Sequence, residues 1–257
     1  MEKPVKQFKV DALQVYVYET REAMGVAACE TYKRSINDKL QRGELVRAIF
    51  AAAHSQSDFL DVLANDQDLD FSLIDGFHMD EYLGLEVDAP QNFGNFLKRA
   101  IFSRKPFRQV NYLRSDAVDI RSECQRYESL LKAEPVDIVS LGIGENGHLA
   151  FNDPHEAKFD AREWVRSTTL DDISRQQQVN DGEFSSIGEV PKQALTLTIP
   201  ALMSCRRVVG IVPTDRKAHA VYDALYGPVT TDCPASILRT HPNAALFLDK
   251  SAARLIL

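Results

Sequence analysis

The sequence has no apolar run approaching the ~18 residues that a membrane span needs. Its start, MEKPVKQFKVDALQVYVYET, lacks an apolar stretch of signal-peptide length. Both absences predict a cytoplasmic protein. Cys29, Cys124, Cys205 and Cys233 are scattered, with no C-x-x-C pair and no histidine at ligand spacing. They read as buried or incidental thiols, so neither a zinc site nor a disulfide framework is expected. Basic residues are outnumbered, 30 Lys and Arg against 37 Asp and Glu, for a formal charge of −7. That balance excludes a general nucleic-acid binder, which needs a basic face, and leaves room only for a local anion site. There are no internal repeats, no low-complexity tract and no linker-like stretch to mark a domain boundary.

What remains is a chain of 257 residues, 44% hydrophobic and 26% charged, enough to bury one full core. Apolar, β-branched runs at 45–53, 72–79, 137–143, 194–199, 207–213 and 244–249 read as strands. Stretches of helical period lie between them, at 21–42, 57–65, 92–102, 119–132 and 217–225. This alternation predicts an α/β fold: a single domain over residues 1–257 with a mostly parallel, Rossmann-like sheet flanked by helices on both faces.

In open α/β sheets, ligands bind beyond the carboxyl ends of the strands. The loops to read are therefore AHSQSD at 53–58, HMDEYLGL at 78–85, GENGHLAFNDP at 144–154 and PTDRK at 213–217. Gly142, Gly144 and Gly147 have the G-x-G-x-x-G spacing of a dinucleotide turn. Such a turn must open a helix whose N-terminal amides hold pyrophosphate. Here Asn152, Asp153 and Pro154 follow too soon for a long helix, and the motif lies past the chain midpoint. The competing reading is a catalytic loop, in which the glycines let the backbone approach a small ligand and present His148 to it.

Two phrases, VDIVSLGIGENGHLAFNDP and GFHMDEYLGL, resemble the glucosamine-6-phosphate deaminase/isomerase family. The likeness extends to ALTLTIPAL near 194–202 and to the region of Lys217. The related lactonases share a glycine-histidine loop but not the MDEY or AFN-acid-Pro phrases. The resemblance implies a sugar phosphate as the small-molecule partner, no organic cofactor or metal, and neither nucleic acid nor membrane. It admits a homo-oligomer.

Moving a carbonyl from carbon 1 to carbon 2 of a sugar requires ring opening, proton removal from carbon 2 and proton delivery to carbon 1, and one carboxylate can make both transfers. The resemblance puts that base at Asp80 and the ring-opening imidazole at His148, flanked by Asn146 and Asp153. Where the family carries a glutamate, this chain has Asp153, one methylene shorter. Glu81 reads as an exposed neighbour or a polar site residue, with the exposed reading preferred; Phe77 and Tyr82 read as packing.

For the phosphate, the family uses a glycine- and threonine-rich turn. The corresponding AAHSQSDFL has no glycine, but Ser55, Gln56 and Ser57 could donate from the start of a helix and His54 could add charge. Gly144 would border the sugar, and Lys217 matches the family's phosphate lysine. Arg216 is expected to point elsewhere. The family's phosphate-closing arginine falls near Arg175 or on an uncharged residue such as Asn180. The expected activity is conversion of glucosamine 6-phosphate to fructose 6-phosphate and ammonia. The alternatives are a related sugar-phosphate isomerase or 6-phosphogluconolactonase-like hydrolase, and a non-catalytic sugar-phosphate binding protein.

Overall fold

The computed structural model describes residues 2–257. In chain order the elements are β1 (Lys6–Val10), β2 (Leu13–Tyr18), α1 (Arg21–Gln41), β3 (Val46–Phe50), α2 (Ser57–Asn65), β4 (Ile74–His78), β5 (Asp80–Tyr82), α3 (Phe93–Leu97), β6 (Gln109–Asn111), α4 (Ile120–Lys132), β7 (Ile138–Leu141), β8 (Val165–Thr169), α5 (Asp172–Asn180), β9 (Gln193–Leu197), α6 (Ile199–Met203), β10 (Arg207–Val212), α7 (Ala218–Tyr226) and β11 (Ala244–Asp249).

Eight strands form the main sheet in the order β1-β2-β11-β10-β7-β3-β4-β6. Only β1 runs antiparallel, paired with β2 through a turn in which Asp11 takes φ +50°. The other pairings are parallel. Every residue of β3, β4, β7 and β11 is buried, because a parallel strand in the middle of a sheet is covered on both faces. Successive residues of β10 serve opposite layers. Val208 and Val212 join α4 and α7 in one core, while Val209 and Ile211 join α1 and α2 in the other. The expected mostly parallel sheet between two helical layers is therefore present.

Local chemistry sets the helix ends. Thr20 caps α1 by accepting from the Ala23 amide at 3.2 Å, and Asp119 caps α4 by accepting from Arg121 at 3.0 Å. Arg47 is a charge inside an otherwise apolar strand. Its guanidinium donates to the carbonyls of Leu130, Leu131 and Glu134, satisfying the carboxyl end of α4.

Two expectations need correction, and one hairpin was not anticipated: the lysine-bearing start forms β1–β2, whose alternating half-buried pattern is that of an edge. The segment 194–199 is not in the main sheet: β9 is the centre of a separate antiparallel sheet, β5-β9-β8. The helix at 92–102 is α-helical only to Leu97 and continues as a π-helical turn, Lys98–Phe102. None of the helices among the described residues is long and apolar enough to cross a membrane.

Candidate active site

A cleft of about 290 Å³ opens at the carboxyl ends of β3, β4, β7 and β10, lined by the loops that follow them. Asp80, Gly144 and His148 line it, as do Ser55, Arg216 and Lys217.

Asp80 reaches the cleft because the chain leaves the main sheet after β4 and pairs with β9, placing Asp80 opposite Thr196. The hydroxyl of Thr196 also accepts from the Phe151 amide at 3.0 Å, and Asn152 donates to the carbonyls of Leu149 and Leu197, 2.8 Å each. One strand thus fixes both the Asp80 turn and the His148 loop. The Asp80 side chain is buried beside the apolar walls of Met79, Phe93, Ala150 and Phe151. Its carboxyl accepts no hydrogen bond from the described residues. Burial, and then the charge of Glu81, raise its pKa well above the usual carboxylate range.

His78 anchors the same turn. Leu113 N–H donates to its Nε2 at 2.9 Å, so its Nδ1 carries the proton and donates to the Asp80 carbonyl at 2.9 Å. Burial lowers its pKa to about 4, which keeps the ring neutral. Glu81, expected to be exposed, is buried: its carboxylate accepts amides from Tyr82, Phe93 and Gly94 at 3.0, 2.9 and 2.8 Å. Burial raises Glu81 to about 7, opposed by those three bonds. Tyr82 and Phe77 are packing residues, as expected; Tyr82 stacks among Phe93, Phe151 and Phe184.

The glycines of the 142–147 loop make room rather than open a helix. A Cβ on Gly144 would lie 2.2 Å from His148 Cε1, so the imidazole rests on the bare backbone of that residue. Gly147 turns the loop at φ +83°, where a side chain would also meet Cys233 Sγ at 2.8 Å. No helix follows until α5, and the dinucleotide reading falls with that.

His148 Nδ1 faces three oxygens: Asn146 Oδ1 at 2.8 Å, Ser174 Oγ at 2.8 Å and Asp153 Oδ1 at 3.2 Å. Burial by itself would raise Asp153. The hydrogen bond and charge of His148, the Ser174 hydroxyl and the Asp171 amide outweigh it and hold the carboxyl well below the usual range. Asp153, His155 and Asp171 bring possible ligand atoms within 4.8 Å of one another. Oxygens of both carboxylates are already engaged by Asn146, Ser174 and the amide of Asp171 or Ser174.

At the other end of the cleft, Lys217 ends the turn between β10 and α7 and is buried without an ion pair among the described residues. Burial lowers its pKa to about 8, partly offset by Asp181 and Glu145. Thr214, at φ +80°, precedes that turn and is held by its amide, which donates to both Asp249 oxygens at 3.1 and 3.2 Å. Backbone strain of this kind at a β-branched residue marks a conformation imposed by its surroundings.

Of the loop 53–58, His54 and Ser55 line the cleft. Gln56 does not: it is fully buried and its amide donates to the Ile211 carbonyl at 3.1 Å, tying the loop to β10. Ser57 lies in a neighbouring groove with Phe96 and Glu183. Arg175 is also turned away, its guanidinium held by the carbonyls of Ile187 and Val190 and by Asp172. Asn180 is in the lining, together with Gln177, Gln178 and Asp181 from the same helix and its end.

Sequence reasoning missed Arg21, Asp171 and Ser174. Arg216, expected to point elsewhere, instead lines the cleft and makes loose contacts to Asp181 at 3.6 Å and Glu145 at 4.0 Å, because the turn before α7 is not yet α-helical there. Arg21 pairs with Asp58 and the His54 carbonyl. A basic residue immediately before Lys217 and a serine in the first turn after β8 were the available signals, but neither specifies a direction.

A buried carboxyl and an imidazole in one cleft at the carboxyl ends of a parallel sheet, with lysine and arginine in the same lining, are the layout of an α/β enzyme site. The chain belongs to the family of glucosamine-6-phosphate isomerases/6-phosphogluconolactonase, whose pattern matches residues 19–247. It is similar to glucosamine-6-phosphate deaminases of Lactobacillus delbrueckii subsp. bulgaricus, 39% identical over 73% of this chain and 78% of that protein, and of Oenococcus oeni, 36% identical over 74% and 78%. Among solved structures, a monomeric glucosamine-6-phosphate deaminase superposes with a TM-score of 0.86 at 30% identity, covering 94% of this chain and 99% of that one. A 6-phosphogluconolactonase from Thermotoga maritima superposes at 0.75 with 19% identity, covering 93% and 100%, a likeness of fold.

Proposed function

We propose that this chain converts glucosamine 6-phosphate and water to fructose 6-phosphate and ammonia. The observation that carries the reading is that Asp80 and His148, delivered by different strands, line one cleft with opposite surroundings. Asp80 is buried and its carboxyl is unpaired among the described residues, which favours a carboxyl that both takes and returns a proton; His148 is set against an ionised carboxylate, which favours an imidazole that becomes cationic in passing.

In this reading His148 Nε2 takes the proton of the anomeric hydroxyl and passes it to the ring oxygen, so that the pyranose opens to the aldehyde. Asp80 removes the proton on carbon 2 as the substrate's own ammonium gives a proton to the aldehyde oxygen, and the aldehyde becomes an enolamine with carbons 1 and 2 double-bonded. The same carboxyl returns the proton to carbon 1, leaving an imine at carbon 2. Water adds to that imine and ammonia leaves, giving the ketose. Asn146 and Asp153 support His148.

In this reading Lys217 holds the phosphate, with Ser55 and Arg216 as further donors lining the same cleft. A glycine-free loop at 53–58 leaves more of that work to side chains than a glycine-rich turn would. Sugar phosphates do not cross bilayers freely, so the site of action is the cytoplasm. Incubation with glucosamine 6-phosphate should yield ammonia and fructose 6-phosphate in equal amounts. No turnover above an Asp80→Asn control would overturn the assignment.

A further inference from the structure

We infer that Ser174 is a positioning residue for His148, its hydroxyl coupling the imidazole to the short carboxylate of Asp153. The inference rests on the reading of His148 as the ring-opening group. Ser174 is only 1% exposed and lies 26 positions along the chain from His148, yet its Oγ is 2.8 Å from Nδ1 and donates to Asp153 Oδ1.

The proton directions follow from chemistry. A hydroxyl has one proton, and an ionised carboxylate only accepts. Ser174 therefore gives its proton to Asp153 and offers lone pairs to the ring, so Nδ1 must be the donor. Asn146 leads independently to the same tautomer. Its Nδ2 faces Asp153 at 3.1 Å and Asp171 at 2.9 Å, both acceptors, which turns Oδ1 toward the ring, where it accepts from Nδ1 and from the His148 amide at 3.1 Å. Two polar side chains thus fix the proton on Nδ1 and leave Nε2 bare. A bare Nε2 is what the first step of ring opening needs.

The same contacts stabilise the imidazolium that follows. The Asp153 carboxylate comes only to 3.2 Å from Nδ1, and the Ser174 hydroxyl, 2.8 Å from the ring, links the two. Asp171 fixes that hydroxyl in place: its side chain accepts from the Ser174 amide at 2.6 Å, capping α5, and its own amide donates to Asp153 Oδ2 at 3.0 Å. The titratable groups facing the network are Asp153 and Asp171, with His155 beside them.

The test uses Ser174→Ala, Ser174→Thr and Ser174→Ala combined with Asp153→Glu, each checked for wild-type melting behaviour. Imidazole 15N shifts in histidine-labelled protein, with a His148→Gln sample for assignment, read the tautomer without substrate. Wild type should show a single Nδ1-protonated form. Ser174→Ala should keep the proton on Nδ1, since Asn146 still accepts it, but move both imidazole 15N shifts, with kcat for glucosamine 6-phosphate lowered roughly tenfold and KM unchanged, the loss of one charge-assisted hydrogen bond. Ser174→Thr, which keeps the hydroxyl, should stay within about threefold of wild type. The longer carboxylate of the double variant should recover part of kcat by approaching Nδ1 more closely than the 3.2 Å of Asp153. Unchanged 15N shifts in Ser174→Ala would overturn the inference, as would a threonine variant as slow as alanine. If wild type itself does not turn over the substrate, the functional reading fails while the 15N experiment still decides the role of Ser174.

Discussion

The imidazole of His148 occupies the space that a side chain on residue 144 would fill, with Cε1 2.2 Å from where the Cβ of that residue would be. Gly144→Ala should therefore push the ring into the cleft. Displacement of a catalytic group by about 1 Å costs on the order of 100-fold. Steady-state kinetics should show that loss in kcat, and the melting temperature should fall as well, because the displaced ring gives up its contacts with Asn146, Ser174 and the buried Asp153.

Asp80→Asn should abolish turnover, by at least about a hundredfold, and stabilise the protein at the same time. Burial raises the Asp80 carboxyl, so between the unfolded value of about 3.9 and the raised native one, the native state keeps a proton that the unfolded chain has released. The stability this contributes is complete below the unfolded value and falls as pH rises. Asparagine does not ionise. Its melting temperature should exceed wild type at pH 8, and the two should converge near pH 4; parallel melting curves across that range would refute the account.

Lys217 loses its proton as pH rises through about 8, because burial disfavours the ammonium. Inhibition by inorganic phosphate should weaken above that pH in wild type and be pH-independent there in Lys217→Met. The same substitution should raise KM for the sugar phosphate by roughly 10- to 100-fold, the loss of a charge-assisted contact. Arg216→Ala should raise KM in the same direction, whereas Arg175→Ala should leave phosphate inhibition unchanged among molecules that remain folded.

Glu81→Gln should destabilise the fold by about 2–3 kcal/mol. An amide side chain offers one acceptor oxygen and turns an NH₂ toward donors, whereas the carboxylate accepts from Tyr82, Phe93 and Gly94. Urea denaturation would measure the loss. A variant as stable as wild type would mean that this carboxylate does not hold the start of α3 against β5.

Much of the site was legible locally. Asp80, His148, Gly144 and Lys217 each follow an apolar run and stand in a loop at the carboxyl end of a strand, so the general rule for parallel sheets selected them. Asp153 near His148 was also visible, but not the group that links them. Ser174, which bonds both, lies on a short polar helix whose relation to the 144–154 loop no local pattern encodes. Arg175 and Arg216 show the same limit. Both are arginines near the right loops, and only the orientation of α5 and of the turn before α7 sends the first to the Ile187 and Val190 carbonyls and the second to the cleft.

The sequence by itself determined the central parallel strands β3, β4, β7, β10 and β11, since burial on both faces demands apolar runs, and the loops in which the chemistry sits; β2 and the three-residue β6, less completely buried, it did not mark. Tertiary structure decided the small sheet β5-β9-β8. Its strands are three to five residues long and come from distant parts of the chain, so pairing partner and register are set by packing rather than by pattern. That sheet places Asp80 opposite Thr196 and hangs the His148 loop from the same strand. The distance between the two groups is thus a property of the fold.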